Sequence, residues 1–121
     1  MKFLATLIEA MILVESGGRD WISGDNGSAL GCLQIHEPVI ADVNAAYGFD
    51  FIHADALVPD KAKMICALYL LRYAGPRASA ETCARIWNGG PDGAQRHSTL
   101  AYWEEVRECM EALQQTKGAE Q

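Results

Sequence analysis

The chain has 121 residues, half of them hydrophobic, which suits a single domain with one core. Its net charge of -6 argues against a nucleic-acid-binding protein, because such proteins normally present a basic face. The same charge provides no attraction to an anionic surface.

The first predicted element is a helix over residues 3–14, where only two polar residues interrupt an apolar run. Glu15 continues one stripe of that helix, because it follows at helical spacing the apolar residues Leu4, Ile8 and Met11. Gly17-Gly18 then end the helix. A carboxyl group on an apolar stripe at a helix end is typical of a partly desolvated proton donor, whereas most helix-terminal glutamates are simply solvated.

The beginning of the chain is not predicted to be a signal peptide. Glu9 interrupts the apolar run, and no small-residue cleavage site follows it. No apolar run approaches the roughly 20 residues that span a bilayer. We expect a monomer that is synthesised in the cytoplasm and does not insert into a membrane.

Residues 19–28 read as a loop with several turn-forming dipeptides, and a short hairpin is predicted between Ile22 and Ile35. Asp25 lies in this loop. It either caps its own turn, as turn aspartates usually do, or serves as a second catalytic carboxylate. His36 and His53 have no partner at ligand spacing, which favours packing roles for both.

Three further helices are predicted in the middle of the chain. One covers residues 39–47 and ends at Gly48, and residues 49–58 are irregular with one helical turn. Asp60 is the predicted N-cap of the next, which ends before Gly75 and has an apolar face of Met64, Ile65, Leu68, Leu70 and Leu71. Ser79 is predicted to cap a helix over residues 80–87.

The last predicted helix begins near Ser98 or Thr99 and ends at about Gln115, with Trp103 in the core. Its acidic residues are expected to face water as Glu104, Glu105, Glu108 and Glu111. Residues 116–121 are predicted to be a disordered tail, which limits the domain to residues 1–115.

The four cysteines lack the close spacing of metal ligands, so neither a metal nor another cofactor is predicted. A chain that is not exported keeps them reduced. Cys66, Cys83 and Cys109 fall within apolar helical patterns and are expected to pack as small hydrophobic residues. Cys32 lies in a Gly-rich segment, where no activating base supports a nucleophilic role.

Two blocks of the sequence carry a resemblance to a known superfamily. Glu15-Ser16-Gly17-Gly18 precedes the Gly-rich block from Gly27 to Ile35, and a later block reads Ala84-Arg85-Ile86-Trp87-Asn88-Gly89-Gly90-Pro91. In this order they resemble the lysozyme superfamily, specifically the catalytic domains of soluble lytic transglycosylases. Asp25-Asn26-Gly27-Ser28 ahead of Gln34-Ile35, and residues 85–93 ahead of Tyr102-Trp103, also resemble invertebrate-type lysozymes.

The resemblance implies a mainly α, lysozyme-like fold: a helical bundle around a central buried helix, with a glycan cleft and at most a small β-hairpin. It implies that Glu15 is the catalytic acid and that Gln34 and Asn88 contact glycan. Trp87 stands where transglycosylases usually have tyrosine. The expected partner is peptidoglycan, with Asp25 as the second catalytic group and substrate contacts from Ser28, Gln34, Trp87, Asn88 and Tyr102.

Several functions follow from these expectations. The first is a muramidase that cleaves the β-1,4 bond between N-acetylmuramic acid and N-acetylglucosamine. The alternatives are a lytic transglycosylase that forms 1,6-anhydro ends, an inactive glycan binder of the same fold, and a helical interaction protein with structural glycines. A wall substrate for a protein without an export signal predicts release through a membrane lesion, as for a phage-encoded endolysin, or carriage in a larger particle.

Overall fold

The computed structural model describes residues 2–119. These residues form a mainly α fold with one two-stranded antiparallel hairpin, as predicted. The helices are α1 Leu4–Ser16, α2 Glu37–Tyr47, α3 Pro59–Tyr73, α4 Ala80–Gly89 and α5 Leu100–Ala119, and the strands are β1 Ser23–Gly24 and β2 Ala29–Leu30. No helix within this part of the chain is both long and apolar enough to cross a membrane.

Helix α1 lies at the centre of the helical packing, in contact with α5, α4 and α3. Leu7, Ala10 and Met11 are completely buried on it, as the apolar pattern predicts. The helix ends where the N–H of Gly17, a residue with φ 66°, donates to the carbonyl of Leu13. The position of Glu15 in the last turn is therefore defined by a glycine cap.

The hairpin packs closely on the loop before α3. Gly31, with φ 80°, lies so near the carbonyl oxygen of Ala56 that a Cβ atom at residue 31 would be 1.8 Å from it. Leu30 and Ile35 exchange backbone hydrogen bonds of 3.1 and 2.9 Å immediately after this point. The close approach therefore requires glycine and holds the hairpin against the rest of the domain.

Helix α2 ends at Gly48 with φ 73°, as predicted. The irregular segment that follows contains one short 3₁₀ helix, His53–Leu57, which also agrees with the prediction. Asn44 holds this segment, because its side chain donates to the carbonyl of Phe51 and accepts from the N–H of the same residue.

The N-cap of α4 was predicted correctly and that of α3 was not. The Ser79 hydroxyl accepts a hydrogen bond of 3.1 Å from the N–H of Thr82. Helix α3 begins at Pro59 with Val58 as its N-cap, and Asp60 lies in the first turn, where its charge suits the helix dipole. Met64 and Leu71 are each 45% exposed, so the apolar face of α3 is narrower than predicted.

Helix α5 extends beyond its predicted end at Gln115, so residues 116–119 are helical rather than part of a disordered tail. Thr116 donates through Oγ1 to the carbonyl of Ala112, and Lys117 lies 3.8 Å from Glu9 of α1. A cation near a helix C-terminus is electrostatically favourable, which helps to explain the extension. The last two residues of the predicted tail, 120 and 121, lie outside the described part.

The cysteines are free thiols that pack as small hydrophobic residues. Cys32, Cys66 and Cys83 are buried, and Cys109 is partly buried against the core. Burial raises the pKa of the Cys66 thiol well above its ordinary value and also raises that of Cys32. These thiols are therefore poor nucleophiles at neutral pH.

Candidate active site

A cleft of about 310 Å³ opens where α1 ends. Three segments supply its walls: the last turn of α1, the hairpin with the start of α2, and the last turn of α4. The side chains that line it are Glu15, Asp25, Gln34, Ile35, His36, Val39, Trp87 and Asn88. The fold therefore brings together five of the seven side chains that the sequence predicts for the site.

Glu15 is partly buried in this cleft, and its carboxyl group is unusually weakly acidic. Burial, the largest effect, raises the pKa of Glu15 from 4.5 to about 7. Hydrogen bonds from the Tyr102 hydroxyl and the Trp87 indole lower that pKa, and the negative charge of Asp25 adds a small increase. With a pKa of about 7, Glu15 keeps its proton in a substantial fraction of the molecules at neutral pH.

Tyr102 lies beneath Glu15 rather than on the wall of the cleft. Its ring is only 8% exposed, and its hydroxyl donates a 3.2 Å hydrogen bond to Oε2 of Glu15. Tyr102 is not among the side chains that line the cleft, and its contact with a substrate stays a prediction. The side chain holds the carboxyl group of Glu15 in place.

Asp25 lines the same cleft as Glu15. It lies in the hairpin turn with φ 50°, next to Asn26 with φ 58°, and both values fall in the left-handed region that these residue types tolerate best. Its carboxylate is 69% exposed and lies 3.1 Å from Nε2 of His36. His36 was predicted to pack at the surface or in the core, and its contact with Asp25 was not predicted. The predicted hairpin could have indicated this contact, because a hairpin brings residue 36 back toward residue 25.

Ser28 and Gln34 both support the hairpin. The Ser28 hydroxyl donates to the carbonyl of Asp25 at 2.7 Å and is not among the cleft-lining groups. Gln34 does line the cleft, but its Nε2 donates to the carbonyls of Gly31 at 2.9 Å and Ile22 at 3.3 Å. Contacts of these two side chains with a substrate stay predictions.

The wall of the cleft that α4 supplies is held by contacts that the sequence did not predict. Arg85 of α4 donates through Nε to Oγ1 of Thr99, which is buried and donates in turn to the carbonyl of Gly93. Trp87 packs edge-to-face on Tyr69, with ring centroids 5.6 Å apart. The last turn of α4 is thereby fixed, and with it the Trp87 and Asn88 side chains that face Glu15 across the cleft.

The other two tryptophans lie outside the lining of the cleft. Trp21 is 76% exposed on the loop and is not a cleft-lining residue, whereas Trp103 packs against the core as predicted. Among the side chains that the structure describes, no three His, Cys, Asp or Glu residues are grouped so that they could share a metal ion.

Comparison with known proteins relates part of the chain to a lysozyme. Over 43 residues it is 49% identical to a protein named lysozyme from Magallana gigas. The match covers 33% of this chain and 31% of that protein. No protein-family model matches the chain. The similarity supports a lysozyme-like relationship for that part of the chain.

Proposed function

We propose that this protein is a peptidoglycan-cleaving muramidase in which Glu15 is the general acid. The observation that carries the proposal is the burial of Glu15 at the cleft, where its pKa is raised to about 7. Cleavage of a glycosidic bond requires a carboxyl group that is protonated at the working pH, and glycosidases obtain one by burial. The partial similarity to a lysozyme supports the same class of substrate.

In this mechanism Glu15 protonates the glycosidic oxygen as the bond to the anomeric carbon of N-acetylmuramic acid breaks. Positive charge develops on the sugar ring and requires a negative group on its other face. Asp25 is the carboxylate that lines the cleft with Glu15. Water then adds to the anomeric carbon and gives its proton to one of the two carboxylates, Glu15 or Asp25, so each cut leaves an ordinary reducing end.

The test is the Glu15→Gln variant on purified peptidoglycan. The amide has a similar volume but cannot supply the proton, so we expect activity to fall by about 10²- to 10⁴-fold while glycan binding persists. Glu9→Gln is the matched control, because Glu9 is an exposed glutamate on the same helix. A Glu15→Gln protein that digests the wall at the wild-type rate contradicts the proposal, whereas binding without turnover by the wild type indicates a glycan-binding protein.

A second candidate is a lytic transglycosylase, and the same pKa favours it. A carboxyl group with a pKa of about 7 can also act as a base near neutral pH, which this reaction requires of Glu15. The 6-hydroxyl of muramic acid would then attack its own anomeric carbon and give an anhydro end, lighter by one water.

Mass spectrometry of the released fragments separates the two candidates. We expect mainly reducing ends, and we expect Asp25→Asn to lower activity by at least about 10-fold. Mainly anhydro ends, with most activity retained in Asp25→Asn, establish the transglycosylase instead. In either case the proposed partner is the glycan strand, reached after the protein is released from the cytoplasm.

A further inference from the structure

We propose that His36 is a positioning residue that holds the carboxylate of Asp25 in its working orientation. This inference rests on the proposed glycosidase function and adds to it a residue that acts through Asp25. Both side chains line the cleft, and Nε2 of His36 lies 3.1 Å from Oδ2 of Asp25. An imidazole N–H at this distance donates to the carboxylate and leaves the other oxygen, Oδ1, for the substrate.

Asp25 needs such a support, because the turn that carries it is exposed. Every residue from Asp25 to Ser28 is exposed, and the Asp25 side chain is 69% exposed. Its backbone is held by the N–H and hydroxyl of Ser28, both of which donate to the Asp25 carbonyl. These bonds fix the main chain and leave the direction of the carboxylate to the bond with His36.

His36, by contrast, projects from a firmly held part of the chain. The preceding residue, Ile35, is buried and exchanges two backbone hydrogen bonds with Leu30. The Ile35 carbonyl also lies 2.8 Å from Nε2 of His53, and the His36 carbonyl accepts from the N–H of Val39 at the start of α2. The anchored imidazole therefore orients the exposed carboxylate, and not the reverse.

Because the side chains of His36 and Asp25 are both exposed, we infer that their contact orients the carboxylate rather than stabilises the fold. The side chains of His36 and Asp25 are 45% and 69% exposed, and ion pairs in such surroundings contribute little to folding stability. The rate of a glycosidase, however, depends on where the carboxylate lies relative to the anomeric carbon. Loss of the bond should therefore lower kcat and leave the fold and KM almost unchanged.

Three variants at position 36 test this on soluble peptidoglycan oligomers. His36→Leu removes the donor, and we expect kcat to fall by about 3- to 10-fold with KM within about twofold. His36→Gln places an amide nitrogen where Nε2 lies and should restore kcat to within about twofold of the wild type. His36→Asn carries its nitrogen at the position of Nδ1 and should resemble His36→Leu. His97→Leu, at an exposed histidine that does not line the cleft, is the matched control.

A double-mutant cycle with Asp25→Asn completes the test. If His36 acts through Asp25, His36→Leu changes kcat by less than about 1.5-fold once residue 25 is asparagine. An undiminished loss in that background, or a His36→Gln variant as slow as His36→Leu, overturns the inference. Full activity in Glu15→Gln overturns the proposed function instead, so the two failures are distinguishable.

Discussion

Burial has two opposing consequences for Glu15. It keeps the carboxyl group protonated near neutral pH, and it raises the free energy of the ionised form in the folded protein. Its pKa is raised in the folded protein, so the contribution to stability is fully present below pH 4.5 and is lost as the pH rises through about 7. The shift from 4.5 to about 7 corresponds to roughly 3 kcal/mol of stability lost on ionisation. The site is therefore a point of instability above neutral pH.

Glu15→Gln should accordingly stabilise the protein in a pH-dependent way. Glutamine does not ionise, so the free energy of unfolding of the variant minus that of the wild type should increase by up to about 3 kcal/mol between pH 5 and pH 8. Urea unfolding at several pH values measures this difference. Glu9→Gln, at an exposed glutamate of the same helix, is the matched control. A pH-independent difference for Glu15→Gln would show that the carboxyl is not desolvated.

At the level of single residues, the sequence predicted the partial burial of Glu15, for which the signal is local. Glu15 was found because it shares a stripe with apolar residues and precedes a glycine cap, and both properties lie within a few positions of it. The hydrogen bond from Tyr102 to Glu15 joins residues 87 positions apart in the sequence, and no local pattern predicts it. Tyr102 was therefore predicted only as an aromatic contact for the substrate, and its buried position became clear only from the packing of α5.

At the scale of the elements, the position of the hairpin depends more on the close approach of Gly31 to Ala56 than on the four paired residues of its own strands. Gly31 allows the hairpin to lie against the Ala56 carbonyl, and Gln34 ties the two sides together through the carbonyls of Ile22 and Gly31. Both Asp25 and His36 are positioned by this small unit. A substitution that destabilises the hairpin should therefore disrupt the cleft as well as the fold.

Gly31→Ala should lower the free energy of unfolding by about 3 kcal/mol or more, because the new Cβ would meet a backbone oxygen at 1.8 Å. Gly48→Ala is the matched control. Gly48 also has a positive φ, 73°, but nothing lies within 4 Å of its Cβ position, so only the conformational cost of about 1 kcal/mol applies. Thermal or urea unfolding measures both. Equal losses in the two variants would mean that the hairpin moves away at little cost.

Most element boundaries were predictable, since the chain marks them with caps. Gly17, Gly48 and Ser79 fix helix ends through backbone conformation or a single side-chain bond. The end of α5 was missed because polar residues at a chain terminus suggest disorder, while the helix gains from the approach of Lys117 to Glu9 on α1. That contact joins two helices, so the residue pattern within either helix could not predict it.

At the scale of the whole molecule, the net charge of -6 bears on the proposed substrate, because an anionic wall repels a protein of this charge. Repulsion should slow binding when salt is low. We expect the digestion rate on intact walls to rise about 2- to 5-fold as the ionic strength increases from about 10 to 100 mM, because the screening length falls from about 30 to about 10 Å. A short soluble peptidoglycan oligomer, which carries few charges, should be cleaved at a rate that changes much less. Fastest wall digestion at the lowest salt would contradict this expectation.

The surroundings of Glu15 also depend on a helix that contributes no side chain to the lining of the cleft. All the side chains that line it precede Leu100, where α5 begins, yet α5 supplies Tyr102 and packs along α1, and so helps to enclose Glu15. A nascent chain still lacking α5, or one clipped before it, would contain the complete set of cleft side chains with a more hydrated Glu15. That carboxyl would titrate nearer an ordinary glutamate and would be largely ionised at neutral pH. The pKa of Glu15 thus depends on the packing of α5 against α1 as well as on the side chains that line the cleft.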